Sequence, residues 1–205
     1  MATRRPGTDP TAGTDPLPVK LVNTVGWRLD PARRVERLPA GDALLAWADA
    51  VALLTPAELR AVSAAGGAAW DAEAARVRDL RDAAYGALDA HVAGRPPPAA
   101  DLARVRDAVV DAMRHAEPSA VLPLTWVVAA GDERAVGRRL ALAVADLLAS
   151  QDLPRVGRCG NEPCGWLFVD RTRSRTRRWC TSAGCGNRVR AKRHYERRIA
   201  PSGRG

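Results

Sequence analysis

The sequence has no cysteine in its first 158 residues, only two lysines and no long uninterrupted apolar run. A membrane-spanning helix needs about 20 consecutive apolar residues, and residues 1–18 lack the apolar centre of a secretion signal. We therefore expect a cytoplasmic protein without a membrane partner. With 46% hydrophobic residues the chain can still bury a core, which excludes wholesale disorder.

Motifs of the common enzyme classes are also missing. The three histidines are far apart, and the sequence contains no Gly-rich phosphate loop, no Gly-x-Ser-x-Gly and no Pro-Cys-x-x-Cys pair of a zinc deaminase. We expect no enzymatic activity. An unknown small-molecule effector is an alternative, with Trp27, Trp47 and Trp70 as candidate lining of its pocket, although such side chains more often belong to a core.

The positive charge of the chain is concentrated in its last quarter. Residues 1–152 hold 18 Lys and Arg against 20 Asp and Glu, a net charge of −2, whereas residues 153–205 hold 14 against 3, a net charge of +11. This asymmetry favours a polyanion as partner of the basic segment. Arginine dominates over lysine in both halves alike, so that choice indicates nothing about the partner.

Composition divides the chain into a helical domain (residues 17–152) and a cysteine module (residues 153–199). Residues 1–16 and 200–205 have little to bury and are expected to be disordered tails. Apolar stripes at helical spacing predict a mainly α helical domain. Its helices are expected from Gly41 with Asp42 as N-cap, from Thr55 to Gly66-Gly67, and over 68–93, 101–116 and 135–150, with a short strand or hairpin arm over 120–128.

All four cysteines lie in the cysteine module. Cys159 and Cys164 form one CxxxxC pair, Cys180 and Cys185 form another, and each pair can place two thiolates on a tight turn. In a reducing compartment such a set binds metal before it forms disulfides, and four sulfurs are a structural ligand set of Zn²⁺. One structural zinc ion is therefore expected, with an iron–sulfur cluster as the less favoured alternative.

A β-hairpin and a helix are predicted around the metal. The segment from Trp166 to Trp179 predicts a hairpin between the two cysteine pairs, with residues 171–178 as its tip. A helix is predicted from Cys185 to about Arg198. Its apolar stripe is expected to pack on the zinc core and is formed by Ala191, Tyr195 and Ile199.

Arginines of the hairpin tip and of the outer helix face are the candidate nucleic-acid contacts: Arg171, Arg173, Arg175, Arg177, Arg178, Arg190, Arg193 and Arg197. So many like charges on one scaffold are costly unless phosphate neutralises them, which favours nucleic acid over a merely solvated face. Gly186 suits the turn beside the last cysteine, Asn187 is expected to cap the helix, and Arg188 to brace carbonyls of the turn.

The module contains CGWLFVDRTRSRTRRWC followed at Cys185 by Gly186, Asn187 and Arg188, and in these residues it resembles the CGNR zinc-finger family of bacterial proteins. The upstream LVNTVGWR, the helix-rich middle and the LLAS segment resemble the ABATE domain that precedes this finger. The resemblance covers about residues 17–198. It implies that all four cysteines bind zinc, and that the protein is a stress-induced transcription regulator that binds DNA through the finger.

Two further functions compete with the binding of duplex DNA. Structured RNA is one, with Trp166, Trp179 or Tyr195 stacked on bases, although all three side chains also suit the core of a small module. A redox sensor that releases zinc on thiolate oxidation is the other. Because one helix reads few base pairs, useful DNA specificity would require two half-sites and a homodimer formed through the helical domain.

Overall fold

Seven α-helices and three small sheets make up residues 14–62, 67–129, 131 and 133–199, which the computed structural model describes. The helices are α1 (Leu17–Val22), α2 (Gly41–Ala50), α3 (Pro56–Val62), α4 (Gly67–Val92), α5 (Ala99–Met113), α6 (Ala135–Ala149) and α7 (Asn187–Ile199). Antiparallel pairs are formed by β1 (Val25–Gly26) with β2 (Val35–Glu36), β3 (Ala116–Pro118) with β4 (Trp126–Val128), and β5 (Val156–Arg158) with β6 (Leu167–Val169). The predicted mainly α fold class is confirmed. None of the described helices combines the length and apolarity that crossing a bilayer requires.

The core is built around α4, against which α2, α5 and α6 pack. Trp70, Val77 and Leu88 of α4 are almost completely buried, and they share one apolar cluster with Leu44 of α2 and Leu140 of α6. The long helix predicted over 68–93 therefore presents the expected face to the core. Each large side chain buried in this way contributes about 1.5–3 kcal/mol, so apolar packing around α4 is a main source of stability of the helical domain.

Helix starts agree with the sequence at α3 and differ at α2. The hydroxyl of Thr55 accepts the N–H of Glu58, and a carboxylate oxygen of Glu58 accepts the N–H of Thr55, 2.8 Å away; this is the reciprocal cap predicted there. Asp42, expected as the N-cap of α2, lies inside its first turn. The N–H of Gly41 is instead accepted by the carboxylate of Asp71, 30 positions along the chain.

The two glycines expected to end the second helix do not both lie within the described residues. Gly66 lies outside the described residues, and Gly67 is the first residue of α4 rather than a terminator. Of the segment 120–128, expected to be a strand or hairpin arm, only the last three residues form a strand. They pair with β3 in the register Ala116 with Val128 and Pro118 with Trp126, which makes the arm one half of a hairpin.

The predicted tails lie mostly outside the described residues, in 1–13 and 200–205. Thr14 to Pro16 are described, and Asp15 makes specific contacts. Its carboxylate accepts the N–H of Val169, 2.9 Å away, and forms an ion pair of 2.8 Å with Arg177. The last residues of the segment expected to be a tail therefore contact the cysteine module.

Candidate metal centre and basic surface

Four sulfur atoms converge in the cysteine module. The Sγ atoms of Cys159, Cys164, Cys180 and Cys185 all lie within 4.8 Å of one another, and all four residues are buried. Sγ of Cys164 is 3.8 Å from Sγ of Cys180. Tetrahedral coordination with Zn–S bonds of about 2.3 Å requires sulfur–sulfur separations of about 3.8 Å. The four side chains therefore fit one structural Zn²⁺, as predicted.

The first cysteine pair lies on the turn that closes the β5–β6 hairpin. Cys159 directly follows β5, and its N–H donates to the carbonyl of Trp166, 2.8 Å away. The N–H of Cys164 donates to the carbonyl of Asn161 across the turn. Gly165 has a φ of +68°, which favours glycine and directs the chain back into β6. The hairpin predicted between the two pairs is wrong, because the strand that pairs with β6 precedes Cys159.

The second cysteine pair lies where the chain enters α7. Cys180 precedes a tight helical turn, Ser182–Gly186, which contains Cys185 and continues directly into the helix. The hydroxyl of Thr181 accepts the N–H of Gly184, 3.2 Å away, and so caps this turn. Two sulfurs thus come from a turn at the end of a hairpin and two from the start of a helix.

Trp179 joins the two turns. Its indole ring packs against Gly160 of the first turn and Gly186 of the second, where an added Cβ would come to 3.1 Å from ring atoms at either position. A side chain at either glycine would push the ring away. The close approach of the tryptophan therefore favours glycine at position 186, which gives this motif glycine a packing reason.

Two side chains donate hydrogen bonds to the sulfur of Cys185. Nδ2 of Asn161 lies 3.4 Å from Sγ, and a guanidinium nitrogen of Arg188 lies 3.8 Å from it. The same guanidinium stands 5.0 Å from the ring centre of Trp27 in the helical domain. Donors of this kind orient a metal ligand and stabilise its negative charge. Arg188 thus contacts the ligand sulfur itself, not the turn carbonyls expected from the sequence.

The four thiols form hydrogen bonds with one another, and their pKa values are shifted in opposite directions. Hydrogen bonds from the other three thiols hold the pKa of Cys185 well below its usual range. Hydrogen bonds that Cys180 makes to the other three raise its pKa far above the usual range. Hydrogen bonds from Cys164 and Cys180 also lower the pKa of Cys159 to about 7. Two sulfurs of the cluster therefore ionise more readily than a free thiol, and ionisation of all four requires a cation among them.

The cysteine module is bonded directly to the segment that follows α1. The side-chain amide of Asn23, which is almost fully buried, pairs with the backbone of Leu167 in the way that a neighbouring β-strand would. Nδ2 donates to the carbonyl of Leu167 and Oδ1 accepts the N–H of the same residue, both at 2.9 Å. Nε1 of Trp166 donates to the carbonyl of Val25, 2.8 Å away. Leu167 belongs to the same apolar cluster as the helices, so β6 is part of the main core.

A buried ion network supports this junction. The N–H of Arg28 donates to the carbonyl of Cys164, and its guanidinium binds Asp82 at 3.0 Å and lies 4.0 Å from the ring centre of Tyr85. Arg81, 1% exposed, also binds Asp82. Burial works to raise the pKa of Asp82, but hydrogen bonds from the two arginines outweigh burial and hold that pKa below its ordinary value. Burial raises the pKa of Tyr85 to about 12.

Sequence reasoning missed the contacts by which Asn23, Arg28 and Arg81 support the junction with the cysteine module. The first two lie in LVNTVGWR, which the sequence offered only as a resemblance, and the third lies on the buried stripe of α4. A polar residue within an apolar helical stripe was the available signal.

Family models match most of the chain. Residues 155–198 match the CGNR zinc finger, and residues 15–151 match the ABATE family, described as "Putative stress-induced transcription regulator". The chain belongs to the ABATE family. The helical domain is its ABATE domain and the cysteine module is its CGNR finger, in agreement with the resemblance seen in the sequence. No curated protein matches the chain.

Helix α7 of the CGNR finger stands away from the packed core. None of its residues is buried, and Tyr195 and Ile199 are 65% and 60% exposed. The predicted packing of Ala191, Tyr195 and Ile199 on the zinc core is wrong, because Trp166 and Trp179 already cover the sulfur cluster. Asn187 is the first residue of α7, and its Oδ1 accepts a hydrogen bond from Arg190.

Two of the eight predicted contact arginines form ion pairs within the protein. Arg171 binds Asp152 at 2.5 Å. Arg177 binds Asp15, donates to the carbonyls of Val169 and Cys180, and covers the ring of Phe168. These contacts fix the loop over residues 171–178 to the finger and to the start of the ABATE domain.

The other six predicted contact arginines have exposed side chains: Arg173, Arg175, Arg178, Arg190, Arg193 and Arg197. Arg178 extends over the ring of Trp179. A guanidinium nitrogen of Arg190 lies 3.3 Å from the carbonyl of Ser182, which draws this side chain toward the second turn. The exposed arginines fall into two groups, one in the loop and one on α7.

A basic groove of about 390 Å³ lies between the β5–β6 hairpin and the loop over residues 171–178. Arg155 and Arg158, which sequence reasoning missed, line it from the hairpin side, and Arg178 lines it from the loop. Both residues precede the first cysteine and therefore lie outside the predicted hairpin and helix. Their position in the segment of net charge +11 was the only feature of the sequence that pointed to them. The groove extends the basic surface beyond the predicted set.

A cavity of about 500 Å³ lies among α4, α5 and α6 of the ABATE domain, and most of the side chains that line it are charged. Asp111 binds both Arg134 and Arg138 across it, at 2.9 and 3.0 Å. Tryptophan does not line this cavity. Trp47 and Trp70 are buried in the core, so the core interpretation of these two residues is confirmed.

Proposed function

We propose that this protein is a transcription regulator that binds duplex DNA through the exposed arginines of its CGNR finger. The observation that carries the proposal is α7, a helix without a buried residue that holds six basic side chains against one acidic in residues 187–199. A helix with its side chains is about 10–12 Å across, and the major groove is about 12 Å wide. Helix α7 therefore has the size, exposure and charge to enter it.

The arginines divide into two roles in this proposal. Arg190, Arg193 and Arg197 lie along α7 and reach base edges or phosphates within the groove, whereas Arg173, Arg175 and Arg178 bind phosphates beside it. Arg155 extends the phosphate contacts along the basic groove, whereas Arg158 already forms an ion pair of 2.7 Å with Asp89 of α4. Zinc supports both groups by holding the loop and the start of α7 together, and it has no chemical step to perform.

The salt dependence of binding measures how many phosphates the protein neutralises. If five phosphates are neutralised, a plot of log K against log salt has a slope of about −4 to −5. Triple substitution Arg190/Arg193/Arg197→Ala should weaken binding and reduce the steepness of that slope by about 2 to 3. The matched control is Arg34/Arg60/Arg114→Ala, which removes the same charge from exposed sites of the ABATE domain.

Genome-wide mapping of bound DNA with the parent and both triple variants completes this test. Enrichment of the same sites by parent and control, and its loss in the α7 variant, is the expected result. A flat salt dependence, or equal loss in both triple variants, would show that α7 does not dock on DNA.

Structured RNA is the second candidate, and one observation favours it: Tyr195 on α7 is exposed and available to stack on a base. Trp166 is not available, because it is buried and bonded to the carbonyl of Val25. Competition between duplex DNA and structured RNA for the zinc-loaded protein decides between them. Stronger displacement by RNA, abolished in Tyr195→Ala, would replace DNA as the target.

We also propose that the ABATE domain mediates self-association. One α7 contacts only a few base pairs, and two fingers held at a fixed spacing read two half-sites. The DNA contacts of a single finger do not depend on this second proposal.

A further inference from the structure

The β3–β4 hairpin presents large apolar side chains to solvent. Val121 and Leu122, in the loop between the strands, are 72% and 87% exposed. Residues 118–131 contain no charged side chain, so no charged residue of this segment interrupts the exposed apolar surface. Three further large apolar residues of the same hairpin are exposed: Leu124, Trp126 and Val127.

Hydrogen bonds fix the shape of the hairpin loop. The N–H of Ser119 donates to the carbonyl of Thr125 at 2.7 Å, and the hydroxyl of Ser119 accepts the N–H of Thr125 at 3.0 Å and donates to the carbonyl of Val121 at 2.9 Å. Arg139 of α6 donates to the carbonyl of Val128 at 2.8 Å and ties β4 to the helices. The apolar side chains are thus displayed on a preorganised element, which lowers the entropy cost of binding a partner.

Helix α5 adds a second exposed apolar element on the same part of the chain. Leu102, Val110 and Met113 are exposed, and at about 100° per residue they fall within an arc of about 80° on one helix face. Met113 is the last residue of α5, and β3 begins three residues later at Ala116. The stripe on α5 therefore leads into the hairpin.

The area of this surface matches one side of a dimer interface. Val127 follows Trp126 in β4 and therefore faces the opposite side of the hairpin. The other seven exposed side chains of the hairpin and the α5 stripe present on the order of 700 Å², within the range of about 600–1,000 Å² that each partner contributes to a stable interface. We infer that a second copy of this chain covers them. In a twofold dimer the hairpin of each protomer packs on the α5 stripe of the other. The same surface of each protomer then supplies both the hairpin that projects and the helix face on which it packs.

Charge also favours a second copy over other occupants. An acidic partner would be drawn to the +11 segment that contains the finger, whereas residues 118–131 attract neither sign of charge. An interface on the ABATE domain leaves α7 of both protomers exposed. The inference specifies the surface for the self-association proposed above and is independent of DNA binding by α7.

Sedimentation velocity of the zinc-loaded full chain, without nucleic acid and from low to high micromolar concentration, tests the interface. The parent is expected to dimerise, and Leu122→Glu/Leu124→Glu should raise the dissociation constant of the dimer by about 30-fold or more, since two central apolar contacts are lost. The control Tyr195→Ser/Ile199→Ser removes the exposed apolar pair of α7 and should leave the dimer intact.

A photo-crosslinker at position 122 locates the contact. In a mixture of isotopically light and heavy protein, it should join light to heavy chains within residues 102–113 or 121–128. A parent that stays monomeric, a dimer lost only in the α7 control, or binding of the parent to phosphatidylglycerol vesicles through Leu122 and Leu124 would each overturn the inference. The salt-dependence test of α7 would still stand on its own result in all three cases.

Discussion

The ABATE domain and the CGNR finger are each stabilised by different interactions. Aliphatic side chains from α2, α4 and α6 fill the core of the ABATE domain. The finger is divided: Val156, Leu167 and Val169 of its hairpin belong to that same core, whereas the sulfur cluster forms a second, separate cluster with Trp166 and Trp179. The boundary that matters for stability therefore passes through the finger, between the hairpin and the second cysteine pair.

Arginine also serves opposite purposes in the two regions. In the ABATE domain, Arg28 and Arg81 are buried and bound to carboxylates. In the finger, most arginines of α7 and of the loop are exposed, whereas Arg177 and Arg188 are half-buried and bind groups of the finger itself. The same residue type therefore stabilises one region internally and forms the proposed binding surface of the other, which explains why its frequency alone is uninformative.

Removal of zinc should have the largest effect and should affect only one side of this boundary. Structural zinc contributes about 10–16 kcal/mol of apparent binding free energy in zinc-finger peptides. Cys180→Ser should therefore expose residues 171–199 to rapid hydrogen exchange, while α4, α6 and the β5–β6 hairpin keep their protection. Ser174→Ala, in the exposed loop, is the control. Simultaneous opening of the hairpin would place the boundary back at the start of the finger.

Leu167→Ala tests whether the finger hairpin belongs to the ABATE core. Leu167 is fully buried in the main apolar cluster, and truncation of such a leucine costs about 2–5 kcal/mol. We expect that loss in the denaturant unfolding of the whole ABATE domain. Ile199→Ala, a truncation at a position that is 60% exposed on α7, should change stability by less than about 0.5 kcal/mol. An unchanged unfolding midpoint for Leu167→Ala would contradict a shared core.

Asn23→Ala removes the amide pairing between the two regions. Both backbone groups of Leu167 would lose their partner in a buried site, at a cost of about 1–3 kcal/mol for each group left unsatisfied. Asn23→Asp keeps the acceptor but buries a carboxylate against the carbonyl of Leu167, so it should cost at least as much as Asn23→Ala at neutral pH. Thermal unfolding together with zinc content measures the effect, and we expect zinc to remain bound at neutral pH in both variants.

Glu58→Gln should have the smallest effect and should depend on pH. A hydrogen bond from Arg139 is the main reason that the pKa of Glu58 falls to about 2. A carboxyl with a lowered pKa stabilises the fold above its unfolded value, and this contribution fades as the pH falls from about 4.5 to about 2. The difference in stability between parent and variant should be about 1 kcal/mol at neutral pH.

That difference should disappear over the same acidic range in denaturant melts. Glu117→Gln, at an exposed site of β3, is the control that should stay close to the parent throughout. A constant difference between parent and Glu58→Gln from pH 7 to pH 2 would show that the Arg139 contact does not stabilise the fold.

Several elements were predictable because their signals are local. The apolar stripe of α4 and the reciprocal cap of Thr55 and Glu58 depend on residues three or four positions apart, and both are present as expected. The β5–β6 pairing was not predictable, since Val156 to Arg158 carries no alternating pattern that identifies it as a partner of β6. The apolar stripe of α7 is a different case, because its helical spacing is present but it does not pack as expected. Trp166 and Trp179 cover the sulfur cluster on which the stripe was expected to pack.

The sequence by itself determined the four zinc ligands, the helical architecture and the concentration of positive charge, because each follows from spacing or composition within a short stretch. Only the tertiary structure decided which arginines are exposed and where the stable core ends. Those properties depend on contacts such as Asn23 with Leu167, 144 positions apart, and burial at that distance is set by packing of the whole chain, which no local pattern encodes.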